Sequence, residues 1–535
     1  MRAFWFAFYV MAGALAGWNA PLGAEDYFAI RVVDGQTGRG VPLIELRGLN
    51  RVSYYTDSEG WIAFYEPGLM DTDVFFEVSG PGYRFEDSFF DWRGTVLHTE
   101  PGGQATLAVT RHNVAERLYR ITGSGIYRDT VLLGKQPPIE NANLNGRVMG
   151  QDTVIAAPYR DQLYWFWGDT FGAAGLNFSV SGATSPLPGR LDVAEGIPLT
   201  YFERDSGLAK EMCPFGSGMT WIDWLAVLGQ GADERLYARY SRMQSLGEAA
   251  EWGYAVFDDE RAVFDKVAEI AVRPDVQQHY SQHPFHARVA GDAYIYLPTT
   301  LCRFRAERGH LLDPSQYAYF TCLEAGARFD AQNPALVRDG QGRLVYDWKQ
   351  DTDAIGFARQ RALIENGLMK REEALFQLRD VETGAWIEPY PGSVFWNEFR
   401  QRWILFTQGA PGTVYYSEAQ TPMGPWAHAV KIISHENYNF YNVTQHPFFD
   451  HEDGRVIFFE GTYVNTFTDN PEKTPWYDYN QILYRLALDD PALQLPDSGP
   501  VLEKHAGQHG YVIEDGGMVA PELGAVEMVR LVPAE

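Results

Sequence analysis

Between Gln151 and Leu488 the chain alternates short apolar strands with polar turns, and one pattern returns four or five times. A polar segment is followed by a turn and then by an aromatic-rich strand. Gln151-Asp152-Thr153-Val154 leads to Tyr164-Trp165-Phe166-Trp167-Gly168-Asp169, and Gln445-His446-Pro447 leads to Ile457-Phe458-Phe459-Glu460-Gly461. Between them, His283-Pro284-Phe285-His286 leads to Tyr294-Ile295-Tyr296, and Trp396-Asn397-Glu398 to Trp403-Ile404-Leu405-Phe406. Unequal all-β repeats of this length predict a β-propeller. The repeats start near Gln151, Thr220, His283, Ser393 and Gln445. Such a fold gathers the ends of its innermost strands around one axis, so carboxylates and histidines far apart in sequence can meet.

Before the repeats, residues 27–111 carry short apolar runs separated by Gly-rich turns, which predict a small β-sandwich. Residues 112–145, with Pro137-Pro138 and several Asn, read as a linker packing on both units. Residues 358–378 have helical spacing with a cap at Gly367 and interrupt the β pattern as an insertion. Residues 525–531 suit a closing or edge strand. The expected architecture is all-β: a sandwich over 25–111, the linker, a five-bladed propeller with a helical insertion over 146–490, and an extension over 491–535.

Residues 1–24 change the picture of where the protein works. Arg2 precedes an apolar run over 4–16 and small residues follow, as in a secretory signal cleaved after Ala16 or Ala24. The run is short for a bilayer span, and no later stretch of the required length is apolar. A secreted or periplasmic protein, free of the membrane once processed, is expected. With 70 acidic against 44 basic residues the net charge is −26, which opposes nucleic acid and anionic membranes. Of the 3 cysteines, Cys302 and Cys322 fall in neighbouring strands and can pair, leaving Cys213 over. No zinc-ligand spacing occurs. Aromatics are 14% of the chain, enough for β cores and for platforms on which sugar rings stack.

Three sets of stretches resemble known groups of proteins. VVDGQTGRGVP (32–42) and YTDSEGWIAF (55–64) resemble the carboxypeptidase-regulatory, transthyretin-like domain, which implies an accessory role without catalysis for the first unit. Val414-Tyr415-Tyr416-Ser417-Glu418-Ala419 with Thr421-Pro422-Met423-Gly424-Pro425-Trp426 resembles the blade text of five-bladed glycosidases of the arabinanase and xylosidase type. The text around Gly150-Gln151-Asp152, Trp167-Gly168-Asp169-Thr170, Phe440-Tyr441-Asn442, residues 445–450, residues 459–463 and residues 477–481 is similar to a group of exported bacterial proteins. That resemblance covers most of the repeats and implies the five-bladed fold without naming a substrate.

Hydrolysis of a glycosidic bond needs one carboxylic acid to protonate the leaving oxygen and one carboxylate to activate water or attack the sugar. Asp152, on the first inner strand, is the first candidate for base or nucleophile. Asp169 and Glu460, each beside an aromatic run that raises a carboxyl pKa, are candidates for the acid, and Glu398 is a fourth catalytic candidate. All of these also suit turns, where a carboxylate accepts backbone N–H bonds. His283, His286, Arg288, Asn397, Asn442 and His446 are candidate substrate contacts, and Trp165, Trp396, Tyr463 and Tyr479 candidate stacking or binding rings. The arabinanase-type resemblance implies that His446 neighbours an axial ion such as calcium; no cofactor is otherwise required. This chain departs from that type in its third repeat, where His283 and His286 stand in place of a glutamate acid.

The expected protein is an exported glycoside hydrolase acting on an oligo- or polysaccharide. A polysaccharide lyase with a His or Tyr base is the first alternative, with Arg147, Arg239 or Arg288 meeting an acidic sugar. A non-catalytic glycan-binding protein is the second. Nothing in the sequence fixes the oligomeric state.

Overall fold

The computed structural model describes residues 23–89, 92–175, 177–178, 180–245, 247–271, 282–496, 499–507, 509–524 and 526–528. The expected export signal therefore lies almost wholly outside the described residues. Among the described residues the chain is mostly β, and the helices are short. No described helix is long and apolar enough to cross a membrane.

The first unit has two sheets facing one core. Trp61–Phe64, Phe28–Asp34, Gln104–Arg111 and Tyr83–Arg84 form one, and Ser53–Tyr55, Glu45–Gly48, Asp73–Ser79, Trp92–His98 and Ser88–Phe89 the other. Alternate residues point inward, as the two-residue period of a strand requires. Ile30 and Val32 from one sheet thus meet Val74, Phe76 and Val78 from the other.

Five larger sheets follow in chain order. The first is Ile155–Tyr159, Gln162–Trp167, Ser181–Pro186 and Thr200–Tyr201. The second runs Met219–Leu228, Arg235–Ser245, Glu248–Asp258 and Val263–Ile270. The third takes Phe285–Val289, Asp292–Leu297, Cys302–Arg305, Ala318–Thr321 and Asp347–Gln350, and Glu527–Met528 from the tail pairs with its first strand. The fourth takes Tyr390–Asn397, Arg402–Gln408, Thr413–Ala419 and Trp426–Ser434, with Phe376–Asp380 added in parallel. The fifth combines Asn439–Gln445, Val456–Val464 and Asn480–Ala487 with Glu116–Arg120.

Four of the repeat starts fall within a few residues of where a sheet's strand begins, at Ile155, Met219, Phe285 and Tyr390. The fifth does not: Gln445 ends its strand, which begins at Asn439. A register shift between Tyr441 and Thr444, with Asn442 at φ 52°, breaks the alternation there and hides the strand's start.

Apolar clusters join the sheets pairwise. Ile155 and Phe166 of the first pack with Leu225 and Leu236 of the second. Trp224 and Tyr254 of the second meet Ile295 and Phe304 of the third. Phe285 and Tyr296 of the third meet Trp403 and Leu405 of the fourth. Phe406 and Tyr416 of the fourth meet Phe459 and Tyr484 of the fifth. Phe458 and Leu483 of the fifth meet Trp165 and Trp167 of the first.

Several expectations change. The segment read as linker holds a strand, Glu116–Arg120, and a short helix, Arg128–Leu132. The helical insertion is only Phe357–Glu365; it stops at Gly367 (φ 70°), as the cap predicts, and Leu378 belongs to a strand. All three cysteines are free and buried. Cys302 packs between the second and third sheets, whereas Cys322 packs between the third and fourth. The two thiols thus serve opposite faces of one sheet.

Candidate functional site

Asp152 lies just before the first strand of the first sheet, and Asp169 just after the second. Their backbones pair: the Gly168 amide donates to the Asp152 carbonyl at 2.7 Å. Both carboxylates therefore leave the sheet at one end. The Asp169 amide also bonds the Asp152 carboxylate. Gly168 is required between them, since a Cβ there would stand 2.6 Å from Asp152 Oδ1.

The carboxylate of Asp152 is held by side chains from the far end of the chain. The Tyr441 hydroxyl donates to Oδ2 at 2.6 Å, and the Tyr479 hydroxyl bonds the same carboxylate. Burial, then the nearby Asp169 charge, push the Asp152 pKa up to about 7, while the phenol bonds hold it down. Asp169 is raised too, by burial, and its Oδ1 accepts the Trp221 indole N–H at 2.7 Å. Burial first, and then the same carboxylates, push the pKa of both tyrosines up, so each phenol keeps its proton and donates.

Three left-handed residues, Thr153 (φ 56°), Asn442 (φ 52°) and Tyr479 (φ 63°), lie around this carboxylate, as others do elsewhere in the chain. That region is unfavourable for a tyrosine and more so for a β-branched threonine. Each conformation is tied down by bonds. The Asn442 amide donates to Thr153 Oγ1, and the Thr153 amide donates to Thr462 Oγ1 at 3.2 Å. The Tyr479 carbonyl accepts the Gln151 amide at 2.7 Å. Gln151 is itself fixed, receiving the Tyr201 hydroxyl and donating to Ser181 Oγ.

Two exposed rings flank the tyrosines. Phe171, 39% exposed, meets Tyr479 edge to face at 5.0 Å, and Phe467, 73% exposed, meets Tyr441 at 6.5 Å. Tyr441, Phe171, Phe467 and Trp221 were not among the sequence candidates. Only Tyr441 left a signal, as part of the polar interruption in an apolar strand.

Glu460 and His446 form a separate pair. His446 Nε2 lies 2.6 Å from Glu460 Oε1, and both residues are buried. Trp165, Phe448 and Phe449 surround the His446 ring, and Tyr119 and Tyr201 lie near Glu460. Glu460 has no accessible surface, so no leaving-group oxygen can reach it in this conformation. Calcium takes six to eight oxygen donors. Beside the aromatic rings, the oxygen donor bonded to His446 is Glu460, whose second carboxylate oxygen is buried without a hydrogen-bond partner among the described residues. Among the described residues no group of three or more His, Cys, Asp and Glu is placed to hold a metal.

The other candidates scatter. Trp165 is fully buried with its indole N–H on Ser185 Oγ, and Tyr463 is buried against Tyr438, so both rings serve the core. Glu398 is exposed in a hairpin turn, bonded to Gln401. Asn397 is buried, donating to the Gly454 carbonyl, and Trp396 leans on Trp403. Burial, and then the neighbouring His446, lower the pKa of the buried His283 to about 3; burial alone lowers that of the half-buried His286 to about 4. Both are neutral imidazoles at physiological pH. Arg288 is exposed on the strand paired with the tail. Arg239 is buried with Asp223, and Arg147 is exposed. A surface hollow of about 330 Å³ between His112, Asp380 and Lys431 includes none of the candidates.

No family model matches the sequence, and no curated protein matches it. Solved structures align loosely. A Bacteroides ovatus protein described as a hydrolase aligns at TM-score 0.36 and 11% identity over 65% of this chain and 88% of its own. An exo-β-1,3-galactanase from Phanerochaete chrysosporium aligns at 0.34 and 11%, over 65% and 63%. A GH43_1 enzyme from Xanthomonas citri, complexed with xylotriose, aligns at 0.32 and 10%, over 68% and 89%. Alignments this loose decide neither architecture nor chemistry, which rest on the geometry above.

Proposed function

We propose that the protein is a glycoside hydrolase whose five large sheets are the blades of a closed propeller. The ring order of the apolar clusters, first to second through fifth to first, supports closure. The observation that carries the activity is the Asp152 carboxylate, poised near neutrality and gripped by two phenols amid three left-handed residues. Strain of this kind persists only where surrounding structure over-determines it, and it clusters at working sites.

In this reading Asp152 is the base or nucleophile and Asp169 the acid. Asp169 gives its proton to the glycosidic oxygen as the bond to the anomeric carbon breaks. Asp152 either takes a proton from the water that attacks that carbon or attacks it directly. Tyr441 and Tyr479 aim the carboxylate. Phe171 and Phe467 offer apolar faces to sugar C–H groups. The lyase alternative wants a cation against a uronate and a phenol that gives up its proton; both phenols here are pushed the other way. The apolar run after Arg2 supports action outside the cytoplasm.

The test is incubation with neutral and uronate-containing oligosaccharides, followed by mass spectrometry and ultraviolet absorbance. Hydrolysis gives products that have gained water and show no new absorbance. An unsaturated, absorbing product would establish the lyase. Binding without any cleavage would establish the glycan-binding alternative.

A further inference from the structure

The N-terminal sandwich reaches Asp152 through a continuous path of contacts, most of them buried or half-buried. Its turn at residues 56–58 abuts the segment that presents Tyr479. The Thr56 carbonyl accepts the buried Tyr477 hydroxyl at 2.6 Å. Two residues on, Ser58 Oγ accepts the Arg120 amide at 3.2 Å. The buried Arg120 guanidinium packs over the Tyr477 ring at 5.4 Å and donates to the Trp476 carbonyl at 2.6 Å. Within the same segment, Asn480 accepts the Thr122 hydroxyl at 3.0 Å and donates to the Asp478 carbonyl at 3.1 Å.

The segment so gripped contains two left-handed residues, Trp476 (φ 67°) and Tyr479 (φ 63°). Such a backbone relaxes unless its surroundings enforce it. Tyr479 then meets the site in three ways. Its amide donates to the Tyr463 carbonyl and its carbonyl accepts the Gln151 amide, each at 2.7 Å. Its hydroxyl bonds the Asp152 carboxylate.

We infer that the sandwich is a positioning element of the site: its 56–58 turn, through Tyr477 and Arg120, fixes the 476–480 segment and so holds Tyr479 against Asp152. This makes the first unit part of the machinery rather than an appended module. The inference rests on Asp152 being the centre of the site, but its consequence can be read without any substrate.

That consequence is the titration of Asp152. The groups facing its carboxylate are the Tyr441 and Tyr479 hydroxyls, the Asp169 amide and the Asp169 carboxylate. Tyr479 stabilises the ionised form, so loosening it leaves burial and the Asp169 charge less opposed. A diazo reagent, which esterifies protonated carboxyl groups, can be applied across pH to the full chain, with modification at Asp152 read by peptide mass spectrometry. In Tyr477→Phe and in Ser58→Ala the midpoint moves up by about one pH unit, the scale of one hydrogen bond to a charged group. Tyr484→Phe, which removes a buried phenol bonded to His435 at 2.8 Å away from this path, leaves the midpoint in place. A midpoint in Tyr477→Phe equal to that of the parent, with circular dichroism unchanged, would overturn the inference. Should Tyr477→Phe not fold, the Ser58→Ala midpoint decides in the same way. Absence of hydrolytic activity would not alter either result.

Discussion

Asp152 and Glu460 are both carboxylates that the sequence offers as catalytic candidates, yet the fold gives them opposite situations. Asp152 is half-buried at the end of its sheet, with phenols donating to it and exposed rings on either side. Glu460 sits inside its strand, sealed against His446 with no accessible surface. The first is costly to the fold and open to chemistry; the second is enclosed and bound into the packing. What separates them is where the strand stops. Gln162–Trp167 ends before Asp169, so the acidic residues around that end face outward, whereas Val456–Val464 runs on past Glu460.

The sharpest test of this contrast is a pair of variants. Asp152→Asn lowers turnover by about 10²–10⁴-fold, the range for losing a general base, and leaves the fold intact by calorimetry. Glu460→Ala does the reverse: it destabilises by about 3 kcal/mol in urea titration, as breaking a buried pair does, while the folded fraction keeps its turnover. Equal losses of activity in both variants would erase the distinction.

The pH response sharpens it further. A base at Asp152 must be ionised and an acid at Asp169 protonated, so kcat/KM rises about tenfold per pH unit on the acid limb and falls again as Asp169 loses its proton, giving a bell. Stability has the opposite sign to the acid limb. A carboxyl with a raised folded pKa binds more protons in the folded state, so its share of stability falls as pH climbs from about 4 to about 7. Asp152→Asn removes that decline, which thermal melts across pH would reveal.

Smaller effects concern the rings and the outlying carboxylate. A sugar covering roughly 50 Å² of ring gains about 1.3 kcal/mol, so Phe467→Ala raises KM close to tenfold with kcat unchanged. Glu398→Gln, in its exposed turn, changes neither rate nor stability beyond about 0.5 kcal/mol.

The sequence carried most of this architecture, because alternation and turn residues mark strands directly. Four repeat starts are visible for that reason. The fifth is obscured where Asn442 disturbs the register, at the very point where the site is built. Asp152 is legible as a polar residue set before an apolar strand. Its partners are not. Tyr441 and Tyr479 lie some 290 and more residues away, and Phe467 stands in a loop without periodicity. No local pattern tells a carboxylate inside a strand from one just beyond it, which is why Glu460 and Asp169 read as equivalents.

The strand Glu116–Arg120 has a consequence for how the molecule is made. Its mate, Asn480–Ala487, emerges far later, Arg485 following Glu116 by 369 residues. At ordinary ribosomal speed that delay is roughly 20–70 s. Throughout it the early strand has an unsatisfied hydrogen-bonding edge, an invitation to mispairing with other nascent chains. Premature termination anywhere before residue 480 therefore strands a sticky edge near the start of the protein, and such fragments should depend on chaperones or precipitate.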